Sequence, residues 1–499
     1  MTNLRVPVPA DRMRTGPRRA RWWALAALTL SVLVVALDSY VLVTALPTFS
    51  AVLGASTSQL QWITAGYTLA SAALLLPAGK LGDRVGRRRA LVVGLVIFGA
   101  TSLVASRAQT AGALIGLRVV MGAGGALIMP MALAVLPSMF DEPAERQRAV
   151  AVTAMGTMLG LPLGPLLAGW LLDHFAWGSI FLINGPIVVL AIVGVRLLVP
   201  ESRDPGASRV DWLGGVLAAG AVAGLVYGAI EQPVDGWSAA VVISLAAGAA
   251  LAVVFVVQQA HGHFPLIDLG LFRSRAFTGG SIAFTVLGFA LSGVLFLLTP
   301  FLQVVQGNDA QGTGLRLLTM IGAMLAGAAV AEKVLAPRLG ARVLVPAGMV
   351  VAATGLATLR WVHADTGYGL LAVALTLVGL GFGLSIPLAV DAQLSALPPD
   401  QTGVGNAMSR TMQSVGVALG TALLGSVLNG AYRGRLATAP ETARASVAGA
   451  HRLAGQAPSL VHTADRAYAH GLAVAGLTCA LILVISAVAV AAVLRRTPD

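Results

Sequence analysis

The sequence predicts an all-α membrane protein of fourteen transmembrane helices, built as two six-helix halves with a further helix pair inserted between them. Three observations predict it. Hydrophobic residues fill 57% of the 499 positions and charged residues only 11%, whereas a soluble domain averages about 25% charged. The apolar residues gather into fourteen runs, most of them near the ~20 residues that cross a bilayer as a helix. A short pattern also returns 254 positions later: Asp83-Arg-Val-Gly-Arg-Arg-Arg aligns with Pro337-Arg-Leu-Gly-Ala-Arg-Val, so that Arg84, Gly86, Arg88 and Gly94 fall on Arg338, Gly340, Arg342 and Gly348.

The predicted spans are 22–47, 59–79, 90–106, 112–136, 148–171, 178–199, 212–231, 237–257, 276–303, 313–335, 342–362, 367–391, 402–428 and 471–494. The basic segment 1–21, with Arg5, Arg12, Arg14, Arg18, Arg19 and Arg21, precedes a run too long for a signal-peptide core, so it reads as a tail before an uncleaved first span. The repeat groups 22–199 and 276–494 as halves and leaves 212–257 as the insertion. Paired halves around a central site are a transporter architecture.

Between the spans, basic residues fill the even-numbered connections: Lys80 to Arg89, Arg146 and Arg148, Arg203 and Arg209, Arg273 and Arg275, Arg338 and Arg342. The odd-numbered connections are sparse or acidic, as at Asp173, Asp235 and Asp309. This asymmetry predicts that both termini are cytoplasmic. The loop 429–470 carries five Arg yet falls outside, and long loops obey the rule poorly. The net charge of +12 therefore points to the anionic lipid leaflet and not to nucleic acid. Trp22, Trp23, Trp177, Trp212 and Trp237 sit at span ends as interface anchors. The lone Cys479 excludes a disulfide framework and a thiolate metal site. No HExxH, Walker loop or Cys/His cluster supports an enzyme, and His261 and His263 have no further ligand nearby. No metal or cofactor is expected.

Asp38 is the sharpest single residue. It lies inside span 1, where a carboxylate costs about 2.5–3.5 kcal/mol unless it faces protein or water. Counting back from Pro47 places it roughly 14 Å below the outer end, and Arg118 enters span 4 to a depth of roughly 9 Å. The near match lets the two meet across a central cavity. Two readings stand: a structural ion pair, or a protonatable carboxylate tuned by burial, Arg118 and substrate.

The other candidates are mechanical or weaker. Gly79, Asp83, Arg84, Gly86, Arg87 and Arg88 form a tight hairpin, GKLGDRVGRRR, in which Asp83 can accept from Arg87 or Arg88, or cap a helix of the other half as a conformational latch. The plainer reading is a solvated basic loop that sets topology. In span 5, Gly160, Pro162, Gly164, Pro165 and Gly169 make a smooth, kinkable face with nothing to titrate. Gly122, Gly124 and Gly125 permit close helix packing. Asp391 and Arg410 form a candidate inner polar pair, and Glu332 and Glu231 read as interfacial.

Together these segments resemble the fourteen-span drug:proton antiporter family of the major facilitator superfamily, over about 22–494 and most clearly in the first 200 residues. LDSYVLVTALP looks like the family's span 1 motif, with Asp38 at its acidic position. GKLGDRVGRRR is similar to the loop 2–3 motif. Arg118, Gly122 and Gly124 match the span 4 motif linked to proton transfer. Gly160, Gly164, Pro165 and Gly169 match the span 5 motif of antiporters, with Ala168 where a second glycine is usual. Trp177, Phe181, Asn184 and Pro186 resemble the entry to span 6. The resemblance implies a proton-coupled exporter of amphipathic small molecules, acting as a monomer in the plasma membrane among its lipids. Several polyspecific members carry a second acid in span 10 or 13. Here span 10 reads GAMLAGAAVA and span 13 offers Arg410 and Gln413. That disfavours dicationic substrates and leaves neutral, monocationic and anionic ones, including a single self-made antibiotic. A proton symporter and a sensor with a transporter fold are the rival readings. The span 5 motif argues against the first and an intact Asp38 against the second.

Overall fold

The computed structural model describes residues 18–140, 142–203, 211–262, 266, 269–395 and 402–494, the side chains of Arg18, Pro143 and 402–407 excepted. The tail arginines Arg5, Arg12 and Arg14, and the loop residues Arg209 and His263, lie outside the described residues. No strand occurs among the described residues. The long helices are α1 (Arg18–Val52), α2 (Thr57–Val85), α3 (Arg87–Ala105), α4 (Ala111–Ala134), α5 (Pro143–His174), α6 (Asn184–Leu198) and α7 (Trp212–Asp235). They continue as α8 (Ala239–His261), α9 (Arg275–Pro300), α10 (Ala310–Val330), α11 (Ala336–Ala357), α12 (Tyr368–Ser395), α13 (Thr402–Arg435) and α14 (Pro458–Leu494).

Thirteen continuous helical stretches among the described residues are long and apolar enough to cross a membrane. The longest, Ala310–Trp361, has 52 residues, about twice what one span needs. It is two spans. Its backbone leaves the helix at Gly340 (φ 68°, ψ 166°), and a π-type turn, Ala331–Leu335, precedes the break. The break falls within the range of α11, so one span runs from α10 through the π-type turn to Leu339 and the next begins at Ala341; α10 and α11 each pack on α12, and the spans among the described residues number fourteen.

The packing repeats between the halves. α1 packs on α5 and α6, α2 on α4, and α3 on α4 and α6. In the second half α9 packs on α13 and α14, α10 on α12, and α11 on α12 and α14. The halves meet where α2 lies on α13 and α5 on α10. The inserted helix α7 bridges that seam: Val226 and Ile230 pack with Ala65 of α2 and with Ala418 and Ala422 of α13. Glu231, predicted as interfacial, accepts a hydrogen bond from Trp62 Nε1 at 2.7 Å there. α8 rests on α7 and turns Ile243, Val253 and Val256 outward, as a lipid-facing helix does.

Several predicted edges move outward. The hairpin 79–89 is almost wholly helical: α2 runs to Val85, α3 starts at Arg87, and Gly86 alone (φ 127°, ψ 126°) turns the chain. Likewise α13 runs to Arg435 and α14 begins at Pro458, so the long loop 429–470 shortens to 436–457 with two short helices, Glu441–Ala445 and Val447–His451. Hydropathy ends a span where charge begins, whereas a helix continues while its backbone hydrogen bonds do. Trp177 is half-buried against Phe49 and Phe181, whereas Trp23 and Trp237 are exposed.

Candidate functional site

Span 1 is apolar around Asp38, so the carboxylate turns inward to the polar groups its neighbours supply. Arg118 Nη1 on α4 donates to Asp38 Oδ2 at 2.5 Å, and both side chains are at most 2% exposed. Asn184 Nδ2, at the start of α6, donates to Asp38 Oδ1 at 3.0 Å and to Ser102 Oγ at 3.0 Å. Ser102 in turn donates to the Phe181 carbonyl. Arg118 Nε reaches the Ile63 carbonyl of α2 at 3.3 Å, and its guanidinium lies 4.3 Å from the centre of the Tyr67 ring. Both carboxylate oxygens are thus occupied, as a charge this deep requires. The predicted pair forms, but inside the N-terminal half and not across the cavity. α1 and α4 are neighbours, and Asp38 sits behind Arg118. Sequence reasoning placed Asn184 in a motif without seeing that it would reach Asp38.

A cavity of about 250 Å³ lies between the halves. Arg118 and Tyr67 line it from the N-terminal half beside Ser39, Tyr40 and Thr68. Arg410, Gln413 and Thr421 line it from α13, with Gly288 and Ser292 of the adjacent α9 beside them. Asp38 is not on its wall. Toward the α1–α2 connection the halves are sealed by hydrogen bonds. Gln61 Nε2 is buried and donates to the carbonyls of Thr421 (3.1 Å) and Ala422 (2.8 Å) and to Ser426 Oγ (3.2 Å). Gln303 donates to the Thr44 carbonyl, Thr57 to the Ala445 carbonyl and Arg452 to the Ser50 carbonyl.

The predicted inner pair is not made. Asp391 is exposed near the end of α12, and among the described residues no ion pair joins it to Arg410, which instead lies 3.4 Å from Gln413 Oε1. Arg410 and Gln413 stand one turn apart on the face of α13 that looks into the cavity, and that rotation carries the guanidinium away from α12.

The basic motif is a knot within the N-terminal half. Arg87 Nε donates to Asp83 Oδ1 at 2.6 Å, and Arg87 Nη1 to the Ala134 carbonyl of α4 at 3.0 Å. Glu201, beyond α6, accepts the Arg88 backbone N–H at 3.1 Å and lies 3.7 and 3.6 Å from Arg88 and Arg89. Glu201 was not singled out from the sequence. Arg84 is exposed, and Gly79 borders open space.

The α5 face predicted to be smooth packs closely on two neighbours. Gly160 lies against Ala36 and Gly164 against Tyr40, both on α1, while Gly169 lies against the Gln311 backbone of α10 in the other half. A methyl at Gly160 would stand 2.5 Å from the Ala36 side chain. Pro162 and Pro165 lie within this helix, and the Pro165 carbonyl stands against Gly314 of α10.

Two pseudo-repeated helix bundles around a central cavity, with a buried ion pair in one wall, define a membrane carrier and not an enzyme. The family model described as the Major Facilitator Superfamily matches residues 28–421. The chain belongs to that superfamily and is a multi-pass membrane protein. It is 33% identical over 496 residues to the multidrug efflux pump LfrA of Mycolicibacterium smegmatis, covering 96% of this chain and 97% of that protein. It is also 33% identical to the tetracenomycin C resistance and export protein of Streptomyces glaucescens (84% and 77% covered). The methyl viologen resistance protein SmvA of Salmonella typhimurium is similar at 33% identity (85% and 87% covered). Among solved structures, the inward-facing, unoccupied bacterial homologue of the human lysosomal transporter Spinster superposes with a TM-score of 0.70 over 96% of this chain and 98% of that one. At 17% identity, that likeness speaks for the fold alone.

Proposed function

We propose that this protein exports amphipathic small molecules from the cytoplasm across the plasma membrane in exchange for protons. The observation that carries the reading is the Asp38–Arg118 pair, whose arginine lines the cavity while its carboxylate is held behind it. Protonation of Asp38 removes the charge that holds Arg118. The guanidinium is then free to change its contacts with Ile63, Tyr67 and the cavity, and so to shift the balance between the two carrier states. One proton crossing 100 mV yields about 2.3 kcal/mol, enough for roughly a fifty-fold gradient.

Export is supported by the names of the efflux and resistance relatives above, and exchange by the resemblance of the span 5 run to the antiporter motif. The positive-inside pattern supports cytoplasmic termini and a seal at Gln61 on the outer side, which makes the described state one closed to the outside. Asp83 and its arginines act as the inner latch, Gly160 to Gly169 as the rigid face on which α1 and α10 move, and surrounding lipid and a single copy of the chain complete the working unit.

The test is efflux of a panel of amphipathic dyes, of both charge signs, from cells lacking their own exporters. Wild type should lower the accumulation of at least one dye in a manner abolished by a protonophore, and Asp38→Asn should not. Accumulation unchanged by the wild-type protein across the panel would remove the exporter reading.

A further inference from the structure

The cavity contains two arginines, and they are not equivalent. Arg118 is neutralised by Asp38 at 2.5 Å. Arg410 has no carboxylate partner among the described residues; its Nη1 donates to the neutral Gln413 Oε1 at 3.4 Å. Residues lining the cavity include no Asp or Glu among those described. The side chains of 402–407, on the turns of α13 below Arg410, are outside the described set, but that segment reads TGVGNA and holds no acid. Asp391 is exposed and makes no ion pair with it among the described residues, and Asp400 lies outside the described residues.

A guanidinium inside the membrane is expensive unless something neutralises it. With Asp38 ionised, the Asp38–Arg118 pair sums to zero and Arg410 leaves the cavity with one net positive charge. An organic cation entering there meets repulsion. A neutral molecule gains little from the charge. An anion supplies what the wall lacks, and a guanidinium offers a two-pronged donor that a carboxylate matches. The surrounding wall is apolar and aromatic, with Tyr40 and Tyr67 facing it.

We propose that Arg410, aided by the amide of Gln413, is the recognition site for an anionic group, a carboxylate or ionised phenol, on an aromatic substrate. The proposal rests on the exporter reading and gives its substrate a charge. It also fits the energetics of export, because an anion leaving and a proton entering both move charge in the direction an inside-negative potential favours. Asp38 lies off the cavity wall and does not attract an anion, so exchange depends on which loaded forms can cross and not on competition for one carboxylate.

The test uses three probes of one shape: anthracene-9-carboxylate, anthracene-9-methanol and anthracene-9-methylammonium. Binding to purified full-length protein is measured at pH 7.5 by fluorescence, and transport in everted vesicles. Wild type should bind the carboxylate about tenfold or more tighter than the ammonium, the size of one charge-assisted hydrogen bond. Arg410→Gln should lose that preference while holding the neutral probe within about twofold, and Arg410→Lys should keep part of it. Unchanged binding of the neutral probe serves as the control for folding. Equal or tighter binding of the ammonium by wild type would overturn the proposal, as would an Arg410→Gln protein that keeps the carboxylate preference but transports poorly, the result expected if Arg410 served only a gate. Wild-type vesicles that move the ammonium but not the carboxylate would sink this proposal and spare the exporter reading. Vesicles that move no probe while the carboxylate preference holds in binding would strike at export and leave the anion site standing.

Discussion

Asp38 and Arg118 meet at 2.5 Å inside one half of the molecule, with the carboxylate screened from the cavity by the guanidinium that lines it. This order of residues separates the protonated group from the bound molecule. Asp38→Asn should therefore abolish proton-driven transport while changing substrate affinity only a few-fold, and should remove the pH dependence of binding that Asp38 contributes. The protons taken up or released on substrate addition to purified protein at several pH values check it. Equal proton exchange by wild type and variant would exclude Asp38 as the coupling group.

Removing one member of the pair strands the other. Arg118→Gln alone should destabilise the protein by about 3–5 kcal/mol, since it leaves a buried carboxylate held by Asn184 only. Adding Asp38→Asn should recover much of that loss, so the two effects should fall well short of additive. Thermal unfolding in detergent, run as a double-mutant cycle, measures the coupling; strict additivity would mean that the pair is not a unit.

The seal at Gln61 is a single side chain making three hydrogen bonds to α13. Gln61→Ala should weaken the closed outer side by about 1–3 kcal/mol and raise the outward-open population. The readout is a cysteine at Ser39, on the cavity wall, in a Cys479→Ala background, labelled in intact cells by an impermeant thiol reagent. Labelling should rise several-fold with Gln61→Ala. No rise would show that the seal is held elsewhere. The same reagent tests orientation: a cysteine at Thr438 should react from outside and one at Arg84 only after permeabilisation, and the reverse pattern would invert the topology.

The knot around Asp83 should act on rate. Asp83→Asn removes the charge from the 2.6 Å pair with Arg87 far from the cavity, so turnover should fall while substrate affinity stays level. Gly86→Ala adds a side chain at φ 127°, where a methyl would stand 2.7 Å from Glu201 Oε1, and should destabilise by about 1–3 kcal/mol. Wild-type turnover in Asp83→Asn would reduce the motif to a topology signal.

A second polar knot anchors the inserted helix pair. Asp211 caps α7 by accepting from the Gly214 N–H at 2.8 Å and also accepts from the amides of Gln258 and Gln259 on α8. Burial by itself would raise the Asp211 carboxyl. The Gly214 N–H, the two amides and the charge of Lys80 outweigh it and hold the carboxyl below its ordinary value. A carboxyl lowered by folding stabilises the folded state above its unfolded value and loses that contribution as pH falls through the folded one. The stability gap between wild type and Asp211→Asn should thus be level at neutral pH and close as pH drops through the acid range. A gap that widens in acid would contradict this sign.

How much of this was readable beforehand depends on the kind of information each feature needs. Gly86 and Gly340, 254 positions apart, were aligned from the residue pattern, and both adopt positive φ at a helix reversal. That agreement needs only local backbone chemistry, because a one-residue reversal between helices favours glycine. The depths of Asp38 and Arg118 were legible for a similar reason: rise per residue is constant, so position along a helix follows from counting. Apolar length determined the fourteen spans, and an acid and an arginine at matching depth predicted a pair.

Tertiary structure alone decided which way each side chain faces. Asp391 and Arg410, both in the inner half of neighbouring spans, suggested a pair, yet α13 is rotated so that Arg410 looks into the cavity and Asp391 remains exposed. The seal made by Gln61, the second donor to Asp38 from Asn184 and the grip of Glu201 on Arg88 join residues from 113 to 365 positions apart. Amino-acid order determined what lies in the membrane, at what depth, and where the chain reverses, because those follow from hydrophobic transfer and backbone geometry. Which polar groups meet, and which charge is left facing the cavity, was decided only when the helices packed, because helix rotation depends on the close fit of every neighbouring face at once.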